Sequence, residues 1–167
     1  VSVYPKDYET KSIWQKLIPQ SRIIESNENF WQMAQTGPAG YDSEIYFDLG
    51  EDVGCRKPDC SPNCECGRFV ELWNLVFTEF NLEKDGNLKP LPKKNIDTGM
   101  GLERLSAAIN GVKSNFDIDF FNSILERVEE LSKKNRSYDR DRFNLIADHA
   151  RAITFLVADG VFPENQR

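Results

Sequence analysis

Residues 97–105, which read Asp-Thr-Gly-Met-Gly-Leu-Glu-Arg-Leu, decide how this 167-residue chain is interpreted. An extended run precedes them, and apolar residues recur after them at helical spacing. Gly99 and Gly101 can let backbone approach a ligand closely or adopt a positive φ. Arg104 falls in the first helical turn, where its planar guanidinium and the positive helix end both favour a phosphate. The stretch predicts a strand-to-helix junction that holds an anionic nucleotide, with a purely structural glycine turn as the alternative.

A sheet is predicted upstream of this junction. Residues 44–48 alternate as a strand, and residues 69–80 are rich in the aromatic and β-branched side chains that strands favour. Asp-Gly at 85–86 predicts a hairpin turn, from which the chain returns through residues 88–96. Two prolines in that return predict an edge strand or an irregular one. Residues 25–43 contain many turn formers and predict an ordered loop.

The two ends of the chain differ in character. The first residues alternate as a strand and lead into a short amphipathic helix that ends near Pro19. After residue 115, two apolar stripes at helical spacing predict two helices, the second of which ends at Gly160. The fold class is therefore α+β, an antiparallel sheet followed by a helical segment. A domain boundary is expected near residues 111–115.

Composition restricts the classes of function. The content of hydrophobic residues is 40%, which is enough for a proper core. The net charge of −6 and the pI near 4.9 oppose a broad basic surface for nucleic acid, so any RNA contact should be local. We find neither a long apolar run nor a signal peptide at the start, so we expect a cytoplasmic protein with no membrane partner.

All four cysteines lie within twelve residues, at Cys55, Cys60, Cys64 and Cys66. Four thiolates in a tight polar loop can enclose a tetrahedral metal ion, and disulfides are not expected in a reducing cytoplasm. We predict that they bind a Zn²⁺ ion. The ion would be structural and not catalytic, because no water-activating His or Glu signature accompanies the cysteines. The alternative is a thiol-bearing insertion without metal.

Residues 97–105 resemble motif 3 of the class II aminoacyl-tRNA synthetases, in the form found in the alanyl-tRNA synthetases. Further segments are similar to that family, in its order: Asn-Phe-Trp-Gln-Met at 29–33, Thr-Gly-Pro at 36–38 with Gly40, Ser-Glu-Ile at 43–45, Glu-Leu-Trp-Asn-Leu-Val-Phe at 71–77, Asn-Phe-Asp-Ile-Asp at 115–119 and Ala-Asp-His-Ala-Arg at 147–151. The resemblance covers nearly the whole chain.

The resemblance implies roles for three residues of a pocket. Trp31 would wall a small amino-acid site, Asp97 would receive the substrate ammonium, and Arg104 would meet the ATP phosphates. The residue types suit these tasks, since a bulky indole shortens a cavity, a carboxylate pairs with an ammonium and a guanidinium neutralises phosphate. The alternatives are a core tryptophan, a helix cap and a surface ion pair, respectively.

The resemblance also implies an acidic residue and a small polar one, three positions apart, near Mg²⁺ and the substrate amine. Glu71 and Asn74 have that spacing, but an ideal strand sends them to opposite faces, so a bulge or strong twist is required. Asn74 and Val76 share a face and can line the amino-acid pocket together. His149, in the middle of a predicted helix, is expected to be structural.

The remaining residues assigned by resemblance are Gly99 for substrate and Gly101 and Glu44 for ATP. The implied function is an alanine–tRNA ligase that makes alanyl-adenylate from alanine and ATP, with Mg²⁺, and then acylates tRNA(Ala). Residues 1–113 would be the carboxyl half of the class II core, with a Cys-rich insertion at 54–67. Residues 114–167 would begin a helical tRNA-recognition domain.

Two departures from the family pattern temper the implied activity. Ala34 stands where the family has Gly, and residues 37–42 read Gly-Pro-Ala-Gly-Tyr-Asp instead of Gly-Pro-Cys-Gly-Pro-Cys. Motifs 1 and 2, which carry the dimer contact and the main α-phosphate arginine, have no counterpart in residues 1–167. We therefore expect no adenylate formation by this chain alone. The alternative function is a synthetase-like module that binds a ligand or partner without catalysis.

Overall fold

The computed structural model describes residues 1–164 and divides the chain into two units, Val1–Ala108 and Ile109–Arg167. The described residues of the first unit form six strands: β1 (Ser2–Val3), β2 (Ile24–Glu25), β3 (Phe30–Gln32), β4 (Gly37–Asp48), β5 (Phe69–Leu82) and β6 (Leu88–Met100). These strands form one sheet with the order β2-β1-β4-β5-β6, and β3 also pairs with β4. All pairs are antiparallel except β1 with β2.

Residues 1–164 also contain four α-helices. They are α1 (Tyr8–Trp14), α2 (Leu102–Asn110), α3 (Asp119–Ser132) and α4 (Arg140–Ala158), with short 3-10 turns at Gln20–Arg22, Asn115–Asp117 and Arg136–Tyr138. The predicted α+β class, with an antiparallel sheet before the helices, is thus confirmed. Within the described residues, no helix is both long enough and apolar enough to cross a membrane.

The hairpin between β5 and β6 follows the sequence prediction. Gly86 has φ +82°, a left-handed conformation that glycine adopts without strain, and its N–H donates to the Glu83 carbonyl oxygen at 2.9 Å. Strand β6 contains both prolines and lies at the edge of the sheet. It continues to Met100, beyond the predicted end at residue 96, because its pairing with β5 extends to Trp73 opposite Met100.

The prediction of a loop over residues 25–43 is wrong. The segment contains strand β3 and the first half of β4, and these pair through Trp31 opposite Gly40. Turn-forming residues such as Gly37 and Pro38 nevertheless belong to β4, since cross-strand hydrogen bonds outweigh a weak local propensity.

Helix α1 packs on one face of the sheet. Its Asp7 cap accepts a hydrogen bond from the backbone N–H of Thr10 at 3.0 Å. The indole Nε1 of Trp14 donates to Ser43 Oγ at 2.8 Å, which ties the helix to β4. An apolar groove of about 370 Å³ lies between α1 and strands β5 and β6, lined by Ile13 and Ile96 among others. We call this side of the sheet the helix face.

The second unit consists of α3 and α4 and the turns before them. The two apolar stripes predict these helices correctly, and each stripe contributes two buried residues: Phe121 and Leu125 from α3, Phe143 and Ala147 from α4. His149 is 63% exposed, and its Nδ1 lies 2.8 Å from the Leu145 carbonyl oxygen one turn earlier.

A candidate active site on the central sheet

One face of the central sheet, opposite the helix face, gathers most of the predicted pocket residues. Val76 on β5 pairs with Asp97 on β6, and Asn74 pairs with Gly99. Directly opposed residues share a face, and alternate residues of one strand do so too. These four residues therefore lie together, on what we call the site face.

A β-bulge places Glu71 on the same face. Ile45 of β4 pairs with Trp73, but the next residue of β4 pairs with Glu71, so Leu72 is the extra residue of the bulge. At the bulge, the alternation of side chains between the two faces of the sheet shifts by one residue. Glu71 therefore lies on the same face as Asn74, although three positions separate them. The structure thus supplies the irregularity that the spacing requires, and the role of Glu71 near Mg²⁺ stays a prediction.

Arg104 lies in the first turn of α2, as predicted. Its Nη1 donates to the Glu71 backbone oxygen at 2.9 Å and lies 3.3 Å from Glu71 Oε2. The Arg104 side chain remains 45% exposed. Gly101 N donates to the Leu72 carbonyl oxygen at 3.0 Å and fixes the start of the helix beside the bulge. The guanidinium is therefore paired with an acid and also accessible to a phosphate at the edge of the site face.

The two glycines of this junction do not serve as positive-φ residues. Neither Gly99 nor Gly101 is among the described residues with φ above zero. A Cβ at Gly99 would meet no atom within 4 Å, and one at Gly101 would lie 3.2 Å from a side-chain carbon of Arg104. The positive-φ alternative is thus wrong, and Gly99 instead leaves backbone uncovered on the site face.

Asp97 is a strand residue. It lies inside β6 and five positions before Leu102, so it does not cap α2. Its Oδ1 accepts a hydrogen bond from the backbone N–H of Thr98 at 2.8 Å, and the residue is exposed. The site face therefore presents a carboxylate that water or a ligand can reach.

Trp31 forms part of the neighbouring strand pair. It is half-buried, and its Nε1 donates to the Phe77 carbonyl oxygen at 3.1 Å. Its cross-strand partner Gly40 is tightly enclosed, since a Cβ there would lie 1.8 Å from the same Phe77 oxygen. The indole is thus held by β5 backbone only one residue from Val76. Its role as a pocket wall stays a prediction.

Glu44 is the centre of a hydrogen-bond network. Its Oε2 accepts hydrogen bonds from Ser2 Oγ at 3.0 Å, Asn29 Nδ2 at 3.3 Å and the hydroxyl of Tyr46. Burial and the hydrogen bond with Glu44 raise the pKa of Tyr46, so this phenol stays protonated as a donor. These bonds orient the Glu44 carboxylate within β4, and its predicted contact with ATP stays a prediction.

Asp42 is a site-face residue that the sequence interpretation missed. It pairs with Val76 across the sheet, is only 5% exposed, and its Oδ2 accepts from Asn74 Nδ2 at 3.0 Å. Burial raises the pKa of Asp42, and hydrogen bonds from Asn74 and Asn29 oppose this rise. The signal was available, because Asp42 alternates with Glu44 and stands where the family pattern has a cysteine.

Three acceptor atoms around Asp42 have no hydrogen-bond partner within the described residues: Asp42 Oδ1, Asn29 Oδ1 and Asn74 Oδ1. Buried acceptors without donors are rare in proteins, and each one destabilises the fold unless a proton or water meets it. The buried part of the site face is therefore rich in acceptors, which suits a positively charged group bound beside it.

The four cysteines converge in the connection between β4 and β5. Their Sγ atoms all lie within 4.8 Å of one another, and the residues are half-buried. Backbone N–H groups of Arg68 and Cys55 lower the pKa of Cys66 to about 6. Burial and the thiols of Cys66 and Cys55 raise the pKa of Cys60 to about 12. The sequence thus predicts correctly which side chains meet here.

Comparison with known proteins identifies the family of the chain. Residues 1–167 match the family described as tRNA synthetases class II (A). The chain therefore belongs to the class II tRNA synthetases.

Within that class, the chain is similar to alanine–tRNA ligases. It is 50% identical over 169 residues to the alanine–tRNA ligase of Endomicrobium trichonymphae, covering 99% of this chain and 19% of that protein. The ligases of Clostridioides difficile (strain 630) and Thermoanaerobacter sp. (strain X514) are 47% and 45% identical, each over 99% of this chain and 20% of the relative. The chain thus spans about a fifth of the length of these relatives.

Proposed function

We propose that this chain supplies the amino-acid pocket and the motif 3 arginine of an alanine–tRNA ligase that acts in the cytoplasm. The observation that carries the proposal is the meeting of Asp97, Asn74 and Val76 on one sheet face, with Arg104 at its edge. Sequence identity of 45–50% to ligases of that specificity supports alanine as the amino acid.

The reaction has two steps. The carboxylate of alanine attacks the α-phosphorus of ATP, which forms alanyl-adenylate and releases pyrophosphate. The terminal ribose hydroxyl of tRNA(Ala) then attacks the alanyl carbonyl carbon and releases AMP. Neither step needs a nucleophile from the protein, so catalysis depends on orientation and on stabilisation of negative charge.

The proposed pocket residues have separate tasks in this scheme. Asp97, exposed and negatively charged, binds the alanine ammonium. Val76 and Trp31 limit the room for the side chain, so that larger amino acids are excluded by their volume. Gly99 leaves space beside them because it carries no side chain.

Arg104 and Glu71 serve the phosphate side of the proposed site. The exposed guanidinium binds ATP phosphate oxygens, while its bond to the Glu71 backbone fixes its direction. Mg²⁺ would neutralise phosphate charge when it is bound, and the Glu71 carboxylate, 35% exposed on the site face, is the donor type that this ion prefers. Glu44 and Gly101 are proposed to complete the ATP side.

ATP–pyrophosphate exchange on the complete natural gene product tests the proposal. We expect exchange that depends on alanine, with glycine and serine much weaker, and transfer of the alanyl group to tRNA(Ala). Exchange with a different amino acid would reject the specificity. A folded protein without exchange with any amino acid would favour the non-catalytic module.

A further inference from the structure

We propose that Cys55, Cys60, Cys64 and Cys66 bind one structural Zn²⁺ ion, which orders the connection between β4 and β5. This site goes beyond the ligase function and does not depend on it. Four convergent thiols form a complete ligand set, since zinc in structural sites is four-coordinate and tetrahedral.

The spacing of the sulfur atoms fits this ion. Zn–S bonds of about 2.3 Å in a regular tetrahedron place the sulfurs about 3.8 Å apart. The Sγ atoms of Cys55 and Cys64 are 3.7 Å apart, and those of Cys60 and Cys66 are 3.5 Å apart. A disulfide needs about 2.05 Å, so neither pair is bonded. The sulfurs therefore surround a volume of the size of one metal ion.

The loop backbone is shaped around these sulfurs. Gly67 has φ +81° and Arg56 has φ +59°, so the residue after the last cysteine and the residue after the first both adopt left-handed conformations. Turns closed by Cys60 N with the Lys57 oxygen at 3.1 Å, and by Cys64 N with the Ser61 oxygen at 2.8 Å, direct two further thiols inward. A non-glycine residue such as Arg56 adopts positive φ at an energetic cost.

The loop has no apolar core that would offset this cost. Apart from its cysteines, residues 54–67 hold only Gly, Pro, Ser, Asn and charged residues. Two polar contacts hold the loop to the sheet: Asn63 Nδ2 donates to the Glu25 oxygen at 3.1 Å, and Arg68, just after the loop, makes two 2.7 Å bonds with Asp48. Neither contact links the four cysteines to one another, so a metal ion supplies the missing constraint.

The first test measures metal in the full chain purified without chelator. We expect about one zinc per chain by elemental analysis, and Co²⁺ substitution should give the intense thiolate-to-metal absorption of a tetrahedral sulfur site. The variants Cys60→Ser and Cys64→Ser should lose zinc affinity roughly tenfold or more in competition with a chelator. Glu65→Gln is the matched control, because this exposed residue lies between two of the cysteines and should keep full zinc content.

The second test works on the unmodified protein, so it stays informative where the serine variants do not fold. Prolonged dialysis against a chelator should remove the metal, and proteolysis should then cut within residues 54–67, whereas protein returned to zinc should resist cleavage there. Metal-free folded protein with four titratable thiols, or with two disulfides, would overturn the proposal. Because zinc and alanine activation are measured separately, failure of one leaves the result for the other unaffected.

Discussion

Strands β4 and β5 contribute to the site face and are joined by the cysteine loop (residues 54–67), yet different forces order the two regions. On the site face, strand register and one bulge decide which side chains meet, and backbone hydrogen bonds across β4, β5 and β6 hold that register. In the loop, residues 54–67 lack both a sheet and a core, and four thiols converge instead. Substitutions that alter backbone packing or charge on the site face should therefore affect the pocket, whereas substitutions of the four cysteines should affect only the loop.

The largest effect is expected from Gly40→Ala. The new Cβ would lie 1.8 Å from the Phe77 carbonyl oxygen, so backbone of β4 or β5 must move. We expect a loss of about 3 kcal/mol or more in the free energy of unfolding, measured by urea denaturation. The matched control is Gly99→Ala, whose Cβ meets nothing within 4 Å and whose stability should change little. Equal stability of the two variants would contradict the described packing of Gly40.

The second largest effect is expected from Asp97→Asn, which should reduce the activity with alanine. In the complete natural gene product, loss of the charge-assisted bond to the alanine ammonium should lower kcat/KM for alanine roughly 10- to 150-fold, which corresponds to about 1.5–3 kcal/mol. ATP-dependent parameters at saturating alanine should change much less. Asp59→Asn in the cysteine loop is the control, and its alanine kinetics should match those of the unmodified protein. Unchanged alanine kinetics in a folded Asp97→Asn variant would remove Asp97 from the pocket.

An intermediate effect is expected from Arg104→Ala. In the complete natural gene product, the KM for ATP in pyrophosphate exchange should rise about tenfold, because one charge-assisted phosphate contact is lost. Stability should fall by less than about 1 kcal/mol, since the pair with Glu71 is partly exposed. Arg127→Ala on α3 removes an exposed arginine with an ion pair of its own and should not change the KM for ATP. A normal KM for ATP in the Arg104→Ala variant would show that Arg104 does not bind ATP and only pairs with Glu71.

The smallest effect is expected from Asp42→Asn. The informative result is whether the substitution raises or lowers the free energy of unfolding at pH 7. Because burial raises the pKa of Asp42, the folded state holds this proton more tightly than the unfolded chain does. The free energy of unfolding then falls as pH rises from the unfolded pKa near 4 through the raised folded value. The variant keeps an acceptor for Asn74 and removes this decline. We expect it to be more stable at pH 7, by about 1 kcal/mol or less, and unchanged below pH 4.

Thermal or urea unfolding at several pH values checks the Asp42 prediction. A variant that is less stable at pH 7 would show that the Asp42 carboxylate is needed in its charged form. The KM for alanine of the Asp42→Asn variant should be measured as well, because Asp42 accepts a hydrogen bond from the side-chain amide of Asn74, a proposed pocket residue.

Particular elements show how far the sequence prediction reached. The strand at Phe69–Leu82, the Asp-Gly hairpin and the helices α3 and α4 follow from patterns within 20 residues, and all are confirmed. Strand β3 was missed because three residues flanked by turn formers carry almost no local signal, and their partner on β4 supplies the hydrogen bonds.

By itself the sequence determined the family, the α+β class and the types of residue that the site uses, since motif wording and hydrophobic periodicity are local properties. Only the tertiary structure decided that a bulge at Leu72 turns Glu71 toward Asn74, that Arg104 pairs with Glu71, and that Asp42 is buried on the site face. The physical reason is that facing and burial are set by the register between strands. That register depends on partners distant in sequence, which no single segment specifies.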